Sequence, residues 1–241
     1  TFASSLAAFY HKIPVGHVEA GLRTYNKYSP YPEEMNRKLT GCMADLHFAP
    51  TQTAKEALLK EGVSAGQIFV TGNTVIDALL QTVDKGYKFK DATLKQLDFE
   101  SRKVILLTAH RRENIGARME HIFQAVKELV RQHHDTEVVV PVHLNPVVQK
   151  LAERVFRGIE RVKMLPPLAY EEFVNLMDRC YLVLTDSGGL QEEAPALGKP
   201  VLVLRDTTER PEAIAAGTVK LIGTEPEKII AETTSLLVNP D

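Results

Sequence analysis

Tryptophan is absent from these 241 residues, and cysteine nearly so, with two. Two cysteines make no disulfide framework, so the core must come from apolar packing, and a reducing, cytoplasmic setting is the expectation. An excess of either charge is also missing: 29 Lys and Arg against 31 Asp and Glu leave a net charge of −2. That balance gives no reason to expect nucleic acid or an anionic membrane as partner, and any bound anion must be held by local groups. No apolar run nears the roughly 20 residues that span a bilayer. The opening residues, Thr1, Phe2, Ala3, Ser4 and Ser5, lack the basic-then-apolar order of a signal peptide. Zinc-ligand spacing, a Walker loop and a G-x-G-x-x-G fingerprint are absent too.

What is present reads as parallel α/β architecture. Short apolar, β-branched runs at residues 68–71, 104–108, 137–142, 181–185 and 201–204 alternate with helical patterns. Each run is almost continuously apolar, as expected for strands covered by helices on both faces. Met119, Ile122, Phe123, Val126, Leu129 and Val130 recur at helical spacing. Thr53 and Glu56 have capping-box spacing for the next helix, with Gly62 as its stop. Residues 1–10 read as a core-packing helix through Phe2, Leu6, Phe9 and Tyr10, with no strand ahead of it. Charge rises and apolar periodicity weakens over residues 85–103, which predicts a connector. The expected division is therefore a partial Rossmann-like domain at 1–84, the connector at 85–103, and a second Rossmann-like domain at 104–241.

Three junctions between strands and the loops after them carry candidate chemistry. In Thr185, Asp186, Ser187, Gly188, Gly189 and the helix-forming residues after them, two glycines let backbone approach a ligand closely. The start of a helix favours phosphate there, at the strand end where open α/β sheets bind ligands. Glu193, one turn in, is placed to accept from ribose hydroxyls; a plain turn with a solvated acidic helix is the other reading. His110 follows the strand at 104–108 directly, with Arg111 and Arg112 beside it. A structural histidine and an anion-binding histidine that assists a leaving phosphate both fit that pattern. Glu19 follows the apolar run 13–18, a costly place for a carboxylate unless it is used or is paired, with Arg23 as the available partner. Glu33 and Glu34 open a helix after Pro32, where the dipole alone could account for both. Phe173 has helical apolar neighbours and suits either core packing or stacking on a base. His143 closes the run 137–142 and could face a cleft, whereas His133 and His134 suit a helix C-terminus.

The strings HVEAGLRT, PEEMNR, TAHRREN, VHLNP, TDSGGLQEEAPALGKPVLVLRDTTERPEA and GT, in this order, resemble the non-hydrolysing UDP-N-acetylglucosamine 2-epimerase family from Thr1 to Asp241. The resemblance implies a GT-B-like fold of two Rossmann-like domains, the first incomplete here, with the nucleotide sugar between them. It implies interconversion of UDP-GlcNAc and UDP-ManNAc by loss of UDP from C1, proton exchange at C2 of a glycal, and return of UDP, with neither NAD nor metal. On matching positions, Glu19 and Glu33 become acid/base carboxylates and His110 the histidine assisting UDP. Ser187, Gly188 and Gly189 become the phosphate turn, Glu193 the ribose acid and Arg210 a binding arginine. Phe173 and the Leu168 backbone become uridine contacts. Glu34, Arg111 and His143 match a region where bacterial members bind UDP-GlcNAc as an allosteric activator. UDP-GlcNAc, UDP and a second copy of the chain, as a homodimer, are the expected partners. An arginine, a lysine and a third carboxylate that the family carries ahead of Thr1, and a closing helix after Asp241, have no match. The chain is therefore expected to be cut at both ends and to turn over little alone. A hydrolysing epimerase, a GT-B glycosyltransferase and an inactive nucleotide-sugar-binding fragment are the competing functions.

Overall fold

The computed structural model describes residues 1–239. The chain forms two compact units, Thr1–Asp77 with Thr207–Glu212, and Ala78–Asp206 with Ala213–Asp241.

The first unit contains α1 (Phe2–Tyr10), β1 (Gly16–Val18), α2 (Glu33–Met43), β2 (Leu46–Ala49), α3 (Gln52–Lys60) and β3 (Ile68–Val70). Its three strands are parallel in the order β1-β2-β3. The register puts His17, His47 and Ile68 side by side on one face. Ala20, Ala49, Ala54, Leu58 and Ile68 form the small core. On the other face Val18, Leu46 and Phe69 remain exposed. The expectation that α1 packs a core through Phe9 and Tyr10 is not met, because those rings are 59% and 73% exposed and Ser5 is the buried residue. The helix packs against α2. The first strand is also shorter than the apolar run suggested. Ahead of Gly16, the Val15 N–H donates to the Asp45 carboxylate at 2.8 Å, so a side chain takes the place of a ladder partner.

α4 (Thr74–Thr82) runs across the division between the units. The second unit then adds β4 (Lys103–Thr108), α5 (Ala117–Gln132), β5 (Thr136–Pro141), α6 (Pro146–Phe156), β6 (Val162–Leu165), α7 (Tyr170–Arg179) and β7 (Leu182–Thr185). It continues with α8 (Leu190–Ala196) and β8 (Val201–Val203), then α9 (Pro211–Ala215), which begins in the stretch assigned to the first unit, and finally β9 (Val219–Leu221) and α10 (Pro226–Val238). Its six strands are all parallel in the order β6-β5-β4-β7-β8-β9. Counted from the first strand of the unit, that is the doubly wound order 3-2-1-4-5-6. One apolar cluster packs under α5, α6 and α10, and a second covers the opposite face with α7 and the segment before β4. These near-continuous apolar strands are buried on both faces, which explains why they showed no alternation.

Residues 85–103, expected as a connector, belong to the second unit. Tyr87, Phe89, Leu94 and Leu97 are buried in its second cluster. The buried Glu172 of α7 accepts from Lys90 and Asp91 N–H at 2.7 and 2.9 Å, and Asn175 accepts from Asp84 N–H at 2.8 Å. The stretch looked like a linker because its core residues follow neither a helical nor a strand period. Residues 207–212 depart from the expected division in the other direction, joining the first unit. Cys180 closes α7 and is buried. No helix among the described residues is long and apolar enough to cross a membrane.

Candidate functional site

In the second unit, the strand order reverses between β4 and β7, which pair directly. The loops leaving their carboxyl ends diverge to opposite sides there, opening the crevice in which doubly wound sheets bind ligands. His110 leaves β4 and Ser187 leaves β7, so both sit at that point. A cavity of about 260 Å³ opens there, lined by His110, His143, Leu168, Phe173, Ser187 and Leu190, with Thr108, Ala109, Pro141 and Pro167. Four of the resembling strings or neighbouring segments thus converge on one hollow.

The turn after β7 is held from within. Ser187 N–H donates to Thr185 Oγ1 at 2.9 Å, and the Gln191 amide donates to Ser187 C=O at 3.2 Å. A Cβ at Gly189 would meet nothing within 4 Å, so the space above that backbone is open. Glu193 is half-buried in α8, close enough to Tyr170 that its charge adds to the burial that raises the Tyr170 phenol pKa. Phe173 is partly buried against the second cluster and also lines the cavity, so it serves packing while showing an edge to the hollow.

His110 and His143 stack with ring centroids 5.8 Å apart and planes 16° from parallel. His143 Nδ1 accepts from Asn145 N–H at 3.1 Å. Burial pushes the His110 imidazole below its ordinary pKa, the buried Asp186 carboxylate opposes this, and Arg111 and His143 press it lower. Arg111 donates its backbone N–H to Asp186 at 2.9 Å.

In the first unit, Glu19 follows β1 with φ of +57°, a left-handed backbone that costs a non-glycine residue about 1–2 kcal/mol. The next residues show why the chain takes it. Ala20 is fully buried and donates its N–H to Phe48 C=O at 3.1 Å. Gly21 follows at φ +89°, where a Cβ would lie 2.1 Å from Ala54 C=O. The sequence Glu-Ala-Gly therefore drives backbone onto α3 and turns the Glu19 side chain outward. Arg23, the partner considered for it, is committed to Glu61 by bonds of 2.9 and 2.8 Å. Glu19 instead accepts from Asn73 Nδ2 at 2.9 Å and lies 3.7 Å from Arg210 Nη2.

Glu33 is the first residue of α2 and shares with Glu19 a cavity of about 240 Å³, lined also by His17, Asn36, Arg37 and Thr40. Glu34 points the other way. It is 1% exposed, and its two oxygens accept from Thr24 and Tyr25 N–H at 3.0 and 2.9 Å, bracing the loop between Gly21 and α2. The side chain matched to an allosteric region is thus occupied by the N–H groups of Thr24 and Tyr25.

Several residues that sequence reasoning passed over belong to these sites. Glu209 is buried and holds Arg210 Nη1 at 2.8 Å, with Arg37 Nη2 at 3.7 Å. Burial lowers the Arg37 guanidinium pKa, Glu209 is the main group opposing that, and Nη1 of Arg37 is buried without a hydrogen-bond partner. Arg37 falls one helical turn after Glu33, a spacing that could have flagged it. Asp186 follows the buried strand Leu182–Thr185 directly, a placement like the one that singled out Glu19. Asn73 carried no signal, since only the tertiary fold brings it to residue 19.

Comparison with known proteins agrees with the strings. The family described as UDP-N-acetylglucosamine 2-epimerase matches residues 1–241. A Bacillus subtilis protein named UDP-N-acetylglucosamine 2-epimerase is 58% identical over 241 residues, covering 100% of this chain and 62% of that protein. The chain thus spans less than two thirds of that curated relative. Among solved structures, the Neisseria meningitidis UDP-GlcNAc 2-epimerase bound to UDP-GlcNAc superposes with a TM-score of 0.93 at 51% identity, covering 100% of this chain and 66% of that one. The S. aureus MnaA–UDP co-structure gives 0.94 at 50% identity, covering 100% and 63%. With the family matched over residues 1–241 and a relative 58% identical across the whole chain, this chain belongs to the UDP-N-acetylglucosamine 2-epimerase family.

Proposed function

We propose that this chain carries the nucleotide-binding unit and two acid/base carboxylates of an isomerase that interconverts UDP-GlcNAc and UDP-ManNAc. The observation that carries the reading is the convergence of His110, Leu168, Phe173 and Ser187 on one cavity at the switch point of the six-stranded sheet. The family match and the relatives solved with UDP-GlcNAc or UDP support it.

In this reading the Ser187, Gly188 and Gly189 turn holds the diphosphate, Phe173 and the Leu168 backbone hold uridine, and Glu193 accepts from the ribose. His110 donates to the departing phosphate, so that negative charge forming on UDP meets a positive ring rather than water. Loss of UDP gives C1 oxocarbenium character, which acidifies the C2 proton. A carboxylate removes that proton to form the glycal, and one returns a proton to the other face before UDP adds back to C1. Glu19 and Glu33 are the groups assigned to those transfers, and Arg210 fixes Glu19. The non-hydrolysing outcome is part of the proposal, because UDP retained at the turn returns to C1 in place of water.

Product analysis tests it. The protein carrying this chain, given UDP-GlcNAc, is expected to form UDP-ManNAc with negligible free UDP. Glu19→Gln and Glu33→Gln are each expected to slow that conversion by about 10²–10⁴-fold. Free UDP accumulating together with N-acetylmannosamine would instead establish a hydrolysing enzyme. Sugar transfer to an added acceptor, without UDP-ManNAc, would establish a glycosyltransferase.

A further inference from the structure

Asp186 has no role in the reading above, yet it is 0% exposed at the end of β7. An isolated carboxylate there would cost several kcal/mol, so its partners matter. All of them come from the segment after β4. Oδ2 accepts from Arg111 N–H at 2.9 Å and from Asn114 Nδ2 at 3.0 Å. The His110 N–H is shared between Oδ1 at 3.1 Å and Oδ2 at 3.0 Å. Oδ1 also stands 3.3 Å from Nδ1 of the His110 ring. The carboxylate therefore faces both the backbone and the imidazole of the same residue.

We propose that Asp186 is a positioning residue that keeps His110 protonated at Nδ1, presents Nε2 to the bound diphosphate and steadies the imidazolium. A hydrogen bond at one ring nitrogen decides what the other can offer, and a buried carboxylate supplies the strongest such partner. The charged groups around the ring are Asp186 and Glu113, which favour the imidazolium, and Arg111 and His143, which disfavour it alongside burial. Asp186 is the largest favourable contribution, so the ring can accept a proton as an anion arrives. The identity of that anion rests on the nucleotide-sugar reading; the ring's orientation does not.

Asp186→Asn makes a sharp test. Its carbonyl oxygen must take the Oδ2 position to satisfy the Arg111 N–H and the Asn114 amide. Its NH₂ then occupies the Oδ1 position and faces ring Nδ1 as a donor, so Nδ1 must become an acceptor. Long-range ¹H–¹⁵N spectra of the 241-residue chain, with His110 assigned by the His110→Gln variant, read this directly. In the unsubstituted chain, neutral His110 is expected as the Nδ1–H tautomer. In Asp186→Asn, the Nε2–H tautomer is expected, with the His110 pKa lower by about 1 unit or more. UDP, used as the probe at pH 7, is expected to bind that variant about tenfold more weakly. Asn114→Ala removes a donor but leaves the carboxylate on the ring, and it should keep the Nδ1–H tautomer.

An Nε2–H tautomer in the unsubstituted chain overturns the proposal, and that measurement suffices even if Asp186→Asn does not fold. A folded Asp186→Asn with unchanged tautomer and pKa overturns it equally, leaving Asp186 as a cross-link between two loops. Failure of UDP to bind the unsubstituted chain would count against the nucleotide-sugar function, while the tautomer would still decide the role of Asp186.

Discussion

His17 lies inside the first unit at 6% exposure, beside His47, with no hydrogen-bond partner for Nδ1 of either ring. Burial, followed by His47, Arg23 and Arg37, pushes its pKa down to about 4. In the unfolded chain the ring takes up a proton near pH 6.5. Between those values the unfolded state holds more protons, so stability falls as pH falls through that window and is fully present above it. The full loss is about 3 kcal/mol on the scale of 1.36 kcal/mol per pKa unit. Denaturant unfolding followed by circular dichroism from pH 7 to 4 should show a steep loss for the unsubstituted chain and a shallower one for His17→Asn. His47 is lowered in the same direction, so some slope is expected to remain. Equal slopes would mean that His17 is protonated in the fold. At this scale, sequence reasoning singled out Glu19 and His110 because each follows an apolar run directly, and Ser187 because two glycines follow it ahead of a helix. Glu209, Asn73 and the inward turn of Glu34 were invisible, since each depends on a partner set by the tertiary fold.

Helix α3 shows how a local pattern can place a cap two residues off. Thr53 and Glu56 have capping-box spacing, yet Thr51 is the N-cap, with extended backbone and its side chain accepting from Ala54 N–H at 3.1 Å. Packing decides between the two, because Ala54 must begin the buried face against Ala20 and Gly21. Thr51→Ala is expected to destabilise the first unit by about 1 kcal/mol, and the exposed Thr53→Ala by clearly less. Chemical denaturation of the two variants side by side checks this, and the opposite ranking would restore the cap at Thr53. Four of the second unit's six strands, β4, β5, β7 and β8, were legible to within a residue at each end, because a core strand of a parallel sheet needs β-branched and apolar residues without interruption; β6 and β9, each interrupted by a lysine, were not singled out. Residues 85–103 were not legible as part of a core. The N–H groups of Lys90 and Asp91, and of Asp84 just ahead of the stretch, donate to Glu172 and Asn175 some 80 to 90 residues away in sequence, partners that no local period records.

For the molecule as a whole, composition limited the alternatives and topology assigned the site. Two cysteines and near-balanced charge left an apolar α/β core as the means of folding and local groups as the means of holding an anion. The alternation of strands and helices announced parallel sheets, but only the observed order β6-β5-β4-β7-β8-β9 brings the loops after β4 and β7 to one crevice. That order explains why residues as far apart as His110 and Ser187 share a cavity. In the first unit, the stretch 207–212 supplies Glu209 and Arg210 to the neighbourhood of Glu19, which no reading of either segment alone could show. The central claim is that a proton leaves and rejoins carbon 2 while UDP stays bound. Incubating UDP-GlcNAc in heavy water with the protein that carries this chain, then recovering the nucleotide sugars, measures it directly. Deuterium at C2 in both UDP-GlcNAc and UDP-ManNAc is the expected result. Formation of UDP-ManNAc with the original hydrogen still at C2 would contradict it, since no carboxylate would then have exchanged that proton with solvent.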